Sequence, residues 1–195
     1  MIAPASGMPT YPAMIANALL AVRNACCRGP TSDLSPATVA PTTVAKVDLE
    51  RYLGTWFEVA RLPNPEEDGF GRRCVDVTAT YSKRRNGTVD VLNVARNALA
   101  GMRQTSVHGW ARAVDASGSK LVVTFFYLFG GDYWVLGLDP DYRWALVGTP
   151  RRRRLWLLSR TPVLAPAEYD RAMAIAAEQG YDPARIVRTP QSAAA

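Results

Sequence analysis

Short apolar and β-branched runs, separated by turn residues, constrain the fold of this chain more than any other feature of its sequence. Residues 75–82 alternate apolar and polar side chains, and Asn86-Gly87 supplies the positive φ angles of a tight hairpin turn. Such a succession is typical of an all-β sandwich or barrel. The runs predict eight strands, at residues 54–62, 75–82, 89–95, 104–114, 120–126, 132–138, 143–148 and 155–159.

One helix follows the strands, because residues 165–179 repeat apolar side chains every three to four positions and Gly180 stands where helices commonly end. The face predicted to pack consists of Tyr169, Ala172, Met173, Ala176 and Ala177. A short last strand is predicted at 185–187. The fold class is therefore all-β, an eight-stranded antiparallel up-and-down barrel with one C-terminal α-helix packed outside. A barrel of this size encloses one small ligand.

The first 46 residues differ from the rest and are rich in Ala, Pro, Thr and Ser. Their apolar run 13–22 precedes Cys26 and Cys27 as in an export signal, but no Lys or Arg precedes the run and Arg23 follows it. We interpret residues 1–46 as an export-signal-like or disordered leader and linker, 47–189 as the barrel with its helix, and 190–195 as a tail.

The net charge of +6 favours an anionic partner, such as nucleic acid, a membrane surface or an acidic ligand. Nucleic acid is disfavoured, because the basic residues fall in predicted loops and are not interleaved with aromatic residues along a sheet. Cys26, Cys27, Cys74 and the sole histidine, His108, lack the spacing of a zinc site, so no metal or cofactor is predicted. A disulfide from Cys74 to Cys26 or Cys27 is left open.

Three segments resemble the sequence motifs of the lipocalins. Residues 54–61 (GTWFEVAR) resemble the GxW motif of the first strand, 131–142 (GDYWVLGLDPDY) the motif between the sixth and seventh strands, and 155–162 (LWLLSRTP) the third motif, which ends in an arginine. Residues 78–82 are similar to the second strand of the bacterial outer-membrane lipocalins and the apolipoprotein D-like group. The resemblance covers residues 47–189.

This resemblance implies non-catalytic binding, with transport or storage, of a small hydrophobic or amphiphilic ligand such as a fatty acid or a lysophospholipid. It also implies a location at the cell envelope, in the periplasm or at the outer membrane, with a lipid anchor as one alternative. A cytoplasmic location is the other alternative, because the export signal is degenerate. Neither the ligand nor the oligomeric state follows from the residues.

Alternation of strand direction predicts which residues meet at the closed end of the barrel. The first strand begins and the eighth ends at the same end, so Trp56 and Arg160 are expected to meet there. A guanidinium over an indole ring forms a cation–π pair. Gly54, Trp56 and Arg160 are therefore interpreted as determinants of the fold, without a role in ligand contact.

The loops after the first, third, fifth and seventh strands lie at the opposite, open end. They are predicted to form a rim of apolar and basic side chains: Leu99, Met102, Tyr127, Leu128, Phe129, Arg72, Arg73, Arg103, Arg151, Arg152, Arg153 and Arg154. Such a rim suits an anionic bilayer surface or an amphiphile with an acidic head. The alternative is that the four-arginine run is only a solvated turn.

Alternation along each strand predicts the inner wall. With Trp56 pointing inward, Glu58 and Ala60 are expected to point inward too, and Val123 is a further candidate. The predicted ligand-binding residues are Glu58, Asn93, Trp110, Phe125, Tyr133, Val135 and Trp156. A one-residue error in any strand would turn its set outward.

No enzyme is predicted, because a nucleophile needs an adjacent base and a group that orients it. Ser106 and His108 lie two residues apart on one strand face, but no carboxylate is placed to orient the imidazole. The alternative function keeps His108 inside the barrel, as a haem or tetrapyrrole ligand or as the base of a cavity-based enzyme.

Overall fold

The structure is a computed structural model, and it describes residues 39–125 and 129–192. All eight predicted strands and the helix are confirmed, and two short helices, α1 and α2, are added. The elements are α1 Leu49–Tyr52, β1 Gly54–Arg61, α2 Pro65–Asp68, β2 Cys74–Lys83, β3 Val89–Asn97, β4 Arg103–Ala113, β5 Lys120–Phe125, β6 Phe129–Leu138, β7 Trp144–Gly148, β8 Leu155–Ser159, α3 Pro166–Glu178 and β9 Val187–Arg188.

The sheet closes on itself as an antiparallel barrel. From β2 to β8 each strand pairs with the next one along the chain, and β1 pairs with both β8 and β2. This confirms the predicted up-and-down barrel. Because strand directions alternate, the β1–β2, β3–β4, β5–β6 and β7–β8 loops share one end, which is the open end.

Two apolar clusters lie on the two faces of the sheet. The inner cluster includes Trp56, Val91, Val123, Val147 and Leu158. The outer cluster is covered by α3, whose Ala172 and Ala176 are fully buried, with Tyr169, Met173 and Ile175 packed beside them. Ala177, which was predicted on this face, is exposed instead.

A bulge in β1 changes which of its residues face the interior. The pairing with β8 shifts register between Glu58 and Ala60, so Arg61 lies opposite Trp156 on the inner face. Ala60 is completely buried in the outer cluster, and the prediction that it points inward is wrong. An extra residue in one strand breaks the alternation, and the sequence carries no direct mark of it.

The C-terminal segment fills a gap between β1 and β2, which pair with each other only over Gly54–Phe57 of β1. Beyond that, β9 pairs with β1, and the backbone N–H of Asp76 donates to the carbonyl of Pro190 (2.9 Å). The Gln191 amide donates to the carbonyls of Glu58 (2.8 Å) and Val77 (2.9 Å). Contacts with the barrel therefore continue past the predicted boundary at residue 189.

Candidate ligand site in the barrel

The closed end is sealed by Arg160 and Trp56, whose predicted contact is confirmed. The Arg160 guanidinium carbon lies 3.8 Å from the centre of the Trp56 ring. The same guanidinium donates to the carbonyls of Thr55 (3.0 Å) and Arg51 (2.7 Å). Gly54 adopts φ +92°, and a Cβ at this position would lie 3.3 Å from the Arg160 guanidinium. These contacts close the barrel at the start of β1.

Three tyrosine hydroxyls lie above this seal. The Tyr133 hydroxyl is 2.8 Å from that of Tyr52 and 3.0 Å from that of Tyr81. Burial raises the pKa of Tyr81 to about 12, so its hydroxyl stays protonated at neutral pH. The cavity beside them is only about 20 Å³, which is room for about one water molecule. This space is too small for a fatty acid or a lysophospholipid.

The inner wall contains most of the predicted residues, with one correction. Phe125, Tyr133 and Trp156 are partly buried and pack against the inner cluster, whereas Val135 is fully buried within it. Trp110 lies on the outer face, because its neighbour Ala111 occupies the inner position opposite Val123. The prediction that Trp110 faces the interior is therefore wrong, because the next residue of β4 occupies the inner position.

Asn93 is a polar group on this apolar wall. It lies about halfway along β3, paired with Ala79 of β2 and Val107 of β4 on the same face. Its side-chain oxygen is buried and accepts no hydrogen bond from any residue that the structure describes. A buried acceptor without a donor costs about 1–3 kcal/mol, so a donor from a bound molecule would stabilise it.

A buried ionic cluster at the open end centres on Arg61, which the sequence analysis did not single out. All five N–H groups of its guanidinium are engaged. They donate to Glu58 (2.9 Å), to Thr189 (3.1 Å), to the carbonyl of Cys74 (3.1 Å) and, through two parallel bonds, to the carboxylate of Asp68. Arg61 is thus left with no donor for a ligand. The sequence feature that could have indicated a buried role for Arg61 is its position, as a charged residue, within the apolar run of β1.

The two carboxylates of this cluster shift in opposite directions. Burial raises the pKa of Glu58 well above its usual range, against the opposing effect of Arg61. The hydrogen bonds from Arg61 lower the pKa of Asp68. Since Asp68 ends α2, the Arg61–Asp68 pair holds this short helix at the mouth, where Glu67 accepts from the Trp156 indole N–H (3.2 Å).

The predicted rim divides into engaged and exposed residues. Arg152 donates to the carbonyls of Gln179 and Val39, and Arg154 donates to both carboxylate oxygens of Glu66. The four-arginine run is therefore neither a fully free basic surface nor a fully solvated turn. The exposed members of the predicted rim are Leu99, Met102, Arg73, Arg103, Arg151 and Arg153, and Arg72 is half-buried. Tyr127 and Leu128 lie outside the described residues, and Phe129 begins β6.

His108 does not reach the interior. It is exposed on the outer face of β4, on the same side as Trp110, and it pairs with Leu92 of β3. The alternative that places it inside the barrel is therefore wrong. Cys74 is buried in β2, whereas Cys26 and Cys27 lie outside the described residues, so the disulfide stays a prediction.

No three His, Cys, Asp or Glu side chains among the described residues are grouped so that they could hold a metal ion. None of the helices in this part of the chain has the length and apolar character needed to cross a membrane.

The sequence matches the family model described as a lipocalin-like domain over residues 47–191. This chain is a lipocalin. It is 38% identical over 179 residues to the outer membrane lipoprotein Blc of Escherichia coli K12. The alignment covers 91% of this chain and 96% of that protein. It is 37% identical to temperature-induced lipocalin-1 of Arabidopsis thaliana (76% and 82% covered) and 30% identical to mouse apolipoprotein D (78% and 82% covered). Lipocalins bind small hydrophobic ligands and are generally binding and transport proteins.

Solved structures agree on the fold of this lipocalin. Insecticyanin from the tobacco hornworm Manduca sexta superposes with a TM-score of 0.63 at 20% sequence identity, covering 86% of this chain and 89% of that one. Lobster apocrustacyanin A1 gives a TM-score of 0.59 at 17% identity, covering 82% and 94%. At these identities the likeness concerns the barrel alone.

Proposed function

We propose that this lipocalin reversibly binds a small amphiphile, such as a fatty acid or a lysophospholipid, in the open half of its barrel, and transports or stores it without catalysis. One observation carries the proposal. The inner wall is apolar at Phe125 and Trp156, yet it presents the unpartnered side-chain oxygen of Asn93. An apolar chain with a hydrogen-bonding group matches that wall.

The physical chemistry favours an amphiphile over a plain hydrocarbon. Burial of the chain against the apolar wall contributes about 25 cal/mol for each Å² removed from water. A hydroxyl or protonated carboxyl group of the ligand would donate to the Asn93 oxygen. An anionic head does not bind Arg61, whose donors are all engaged, and instead lies near the exposed Arg73 and Arg103 at the mouth.

We place this activity at the cell envelope, next to an anionic lipid surface. Several relatives carry the name outer membrane lipoprotein, among them those of Escherichia coli and Vibrio cholerae. The exposed arginines at the open end also suit such a surface. Lipidation at Cys26 or Cys27 would provide an anchor.

Native mass spectrometry of the purified full-length protein tests the binding proposal. The expected spectrum contains protein with one bound fatty acid or lysophospholipid, and Asn93→Leu, which keeps the volume but not the hydrogen bond, loses about tenfold in affinity for that lipid. The matched control is Asn86→Leu in the exposed β2–β3 turn, which leaves the affinity unchanged. Lipid-free protein that also fails to bind added fatty acid contradicts the proposal.

A further inference from the structure

Three bulky apolar side chains are exposed together at the open end. Phe70 is 68% exposed, Leu99 65% and Met102 42%. Every other large hydrophobic side chain exposed to this degree in the described part of the chain is a valine. Phe70, Leu99 and Met102 are therefore the bulkiest apolar side chains that the described part of the chain exposes to solvent.

These side chains belong to one connected surface, which we call the platform and define as residues 69–73 and 97–103. Asn97 joins its two loops: its side-chain oxygen accepts from the backbone N–H of Arg73 (3.1 Å) and of Leu99 (3.1 Å). The N–H of Ala98 donates to the carbonyl of Arg73 (2.9 Å). The two loops are thus held together as a unit.

The backbone presents two of these side chains in an unusual conformation. Phe70 adopts φ +54° and Met102 φ +61°, each beside a glycine that is also left-handed. Residues other than glycine rarely adopt positive φ, and bulky residues do so least. Each turn thus has a backbone conformation that is unfavourable for the bulky residue it contains, and that residue is exposed. A glycine or an asparagine would fit each turn better.

The charge of the platform is uniformly positive. It contains Arg72, Arg73 and Arg103 and no acidic residue. The three carboxylates directly before it in sequence all have partners: Glu66 pairs with Arg154, Asp68 pairs with Arg61, and Glu67 accepts from the Trp156 indole N–H (3.2 Å). The platform itself therefore offers cations beside apolar side chains.

We propose that the platform docks this protein on an anionic phospholipid bilayer, with Phe70, Leu99 and Met102 inserted among the headgroups and Arg73 and Arg103 against lipid phosphates. Exposed apolar side chains flanked by arginines, without acidic residues, match the interface of an anionic membrane. Docking here turns the mouth of the barrel toward the bilayer; it rests on the envelope location proposed above, and it does not depend on whether the barrel binds a ligand.

Vesicle flotation with the full-length protein tests the proposal. We expect binding to vesicles of phosphatidylglycerol and phosphatidylcholine, and about tenfold weaker binding for the combined variant Phe70→Ser, Leu99→Ser and Met102→Ser or for Arg73→Gln with Arg103→Gln. The matched controls lie at the closed end: Val114→Ser with Val163→Ser, and Arg84→Gln with Arg85→Gln. Both controls keep wild-type binding.

A fluorescent probe measures insertion even if the leader anchors the chain. Phe70→Trp is expected to shift its emission to the blue with the anionic vesicles and to be quenched by brominated lipids, whereas Val163→Trp shows neither effect. Equal behaviour of the two probes, or wild-type binding by the serine variant, overturns the proposal. It is also overturned if the serine variant changes only a self-association seen by ultracentrifugation, since the occupant would then be a second copy.

Discussion

Arg160 and Arg61 stabilise the two ends of β1 through different partners. Arg160 combines a cation–π contact to Trp56 with bonds to backbone carbonyls. Arg61 is itself buried and donates hydrogen bonds to Glu58 and Asp68. Sequence alone indicated the first arginine, because strand direction determines the closed end. It missed the second, because only the bulge turns Arg61 inward.

Replacement of Arg160 by methionine should destabilise the fold. The change removes the cation–π contact and the bonds to Thr55 and Arg51, and we expect the free energy of unfolding to fall by about 2 kcal/mol. Urea denaturation measures it. Arg112→Met, on an exposed position of β4, is the control and should change stability by less than about 0.5 kcal/mol. Equal effects of the two variants would refute the role given to Arg160.

Asp68→Asn should reduce stability in a pH-dependent way. Hydrogen bonds from Arg61 lower the pKa of Asp68 in the folded state, so its contribution is fully present above the unfolded pKa of about 3.9 and is lost as the pH falls through the folded value. We expect the variant to unfold about 1.5–3 kcal/mol more easily at pH 7, and the difference to shrink in acid. Denaturation curves at several pH values measure this, and a pH-independent difference contradicts it.

At the scale of elements, the strands were predictable and the short helices were not. Alternating side chains and the Asn86-Gly87 turn mark a strand locally, whereas the four-residue helices α1 and α2 are too short to show a period. The residues at their N-caps were the sequence feature from which these two helices could have been predicted. Asp48 accepts from backbone N–H groups of α1, and Asn64 precedes Pro65 at the first position of α2.

The C-terminal segment acts as part of the barrel wall, and Gln191→Ala tests this. The variant loses both bonds that join β1 to β2 through this side chain, so we expect the free energy of unfolding to fall by about 1–2 kcal/mol. Gln104→Ala, at an exposed position of β4, is the control. If thermal denaturation gives the same midpoint for both variants, the segment does not contribute as described.

At the scale of the whole molecule, the sequence predicted a closed barrel and its two distinct ends. The interior was predicted less well: alternation fails at Ala60, where the register shifts, and at Trp110 the strand alternates regularly but was assigned to the wrong face. Phe70 was missed for another reason. Loop side chains follow no period, and their exposure depends on how neighbouring loops pack.

Trp156 lies on the inner wall of the barrel, beside the space in which we propose that an amphiphile binds. A titration with a brominated fatty acid measures occupancy, because bromine quenches a tryptophan only at close range. We expect saturable quenching with one ligand per chain, most of it lost in Trp156→Phe and kept in Trp110→Phe on the outer face. Equal loss in the two variants, or no saturable quenching in the wild type, would contradict the proposal.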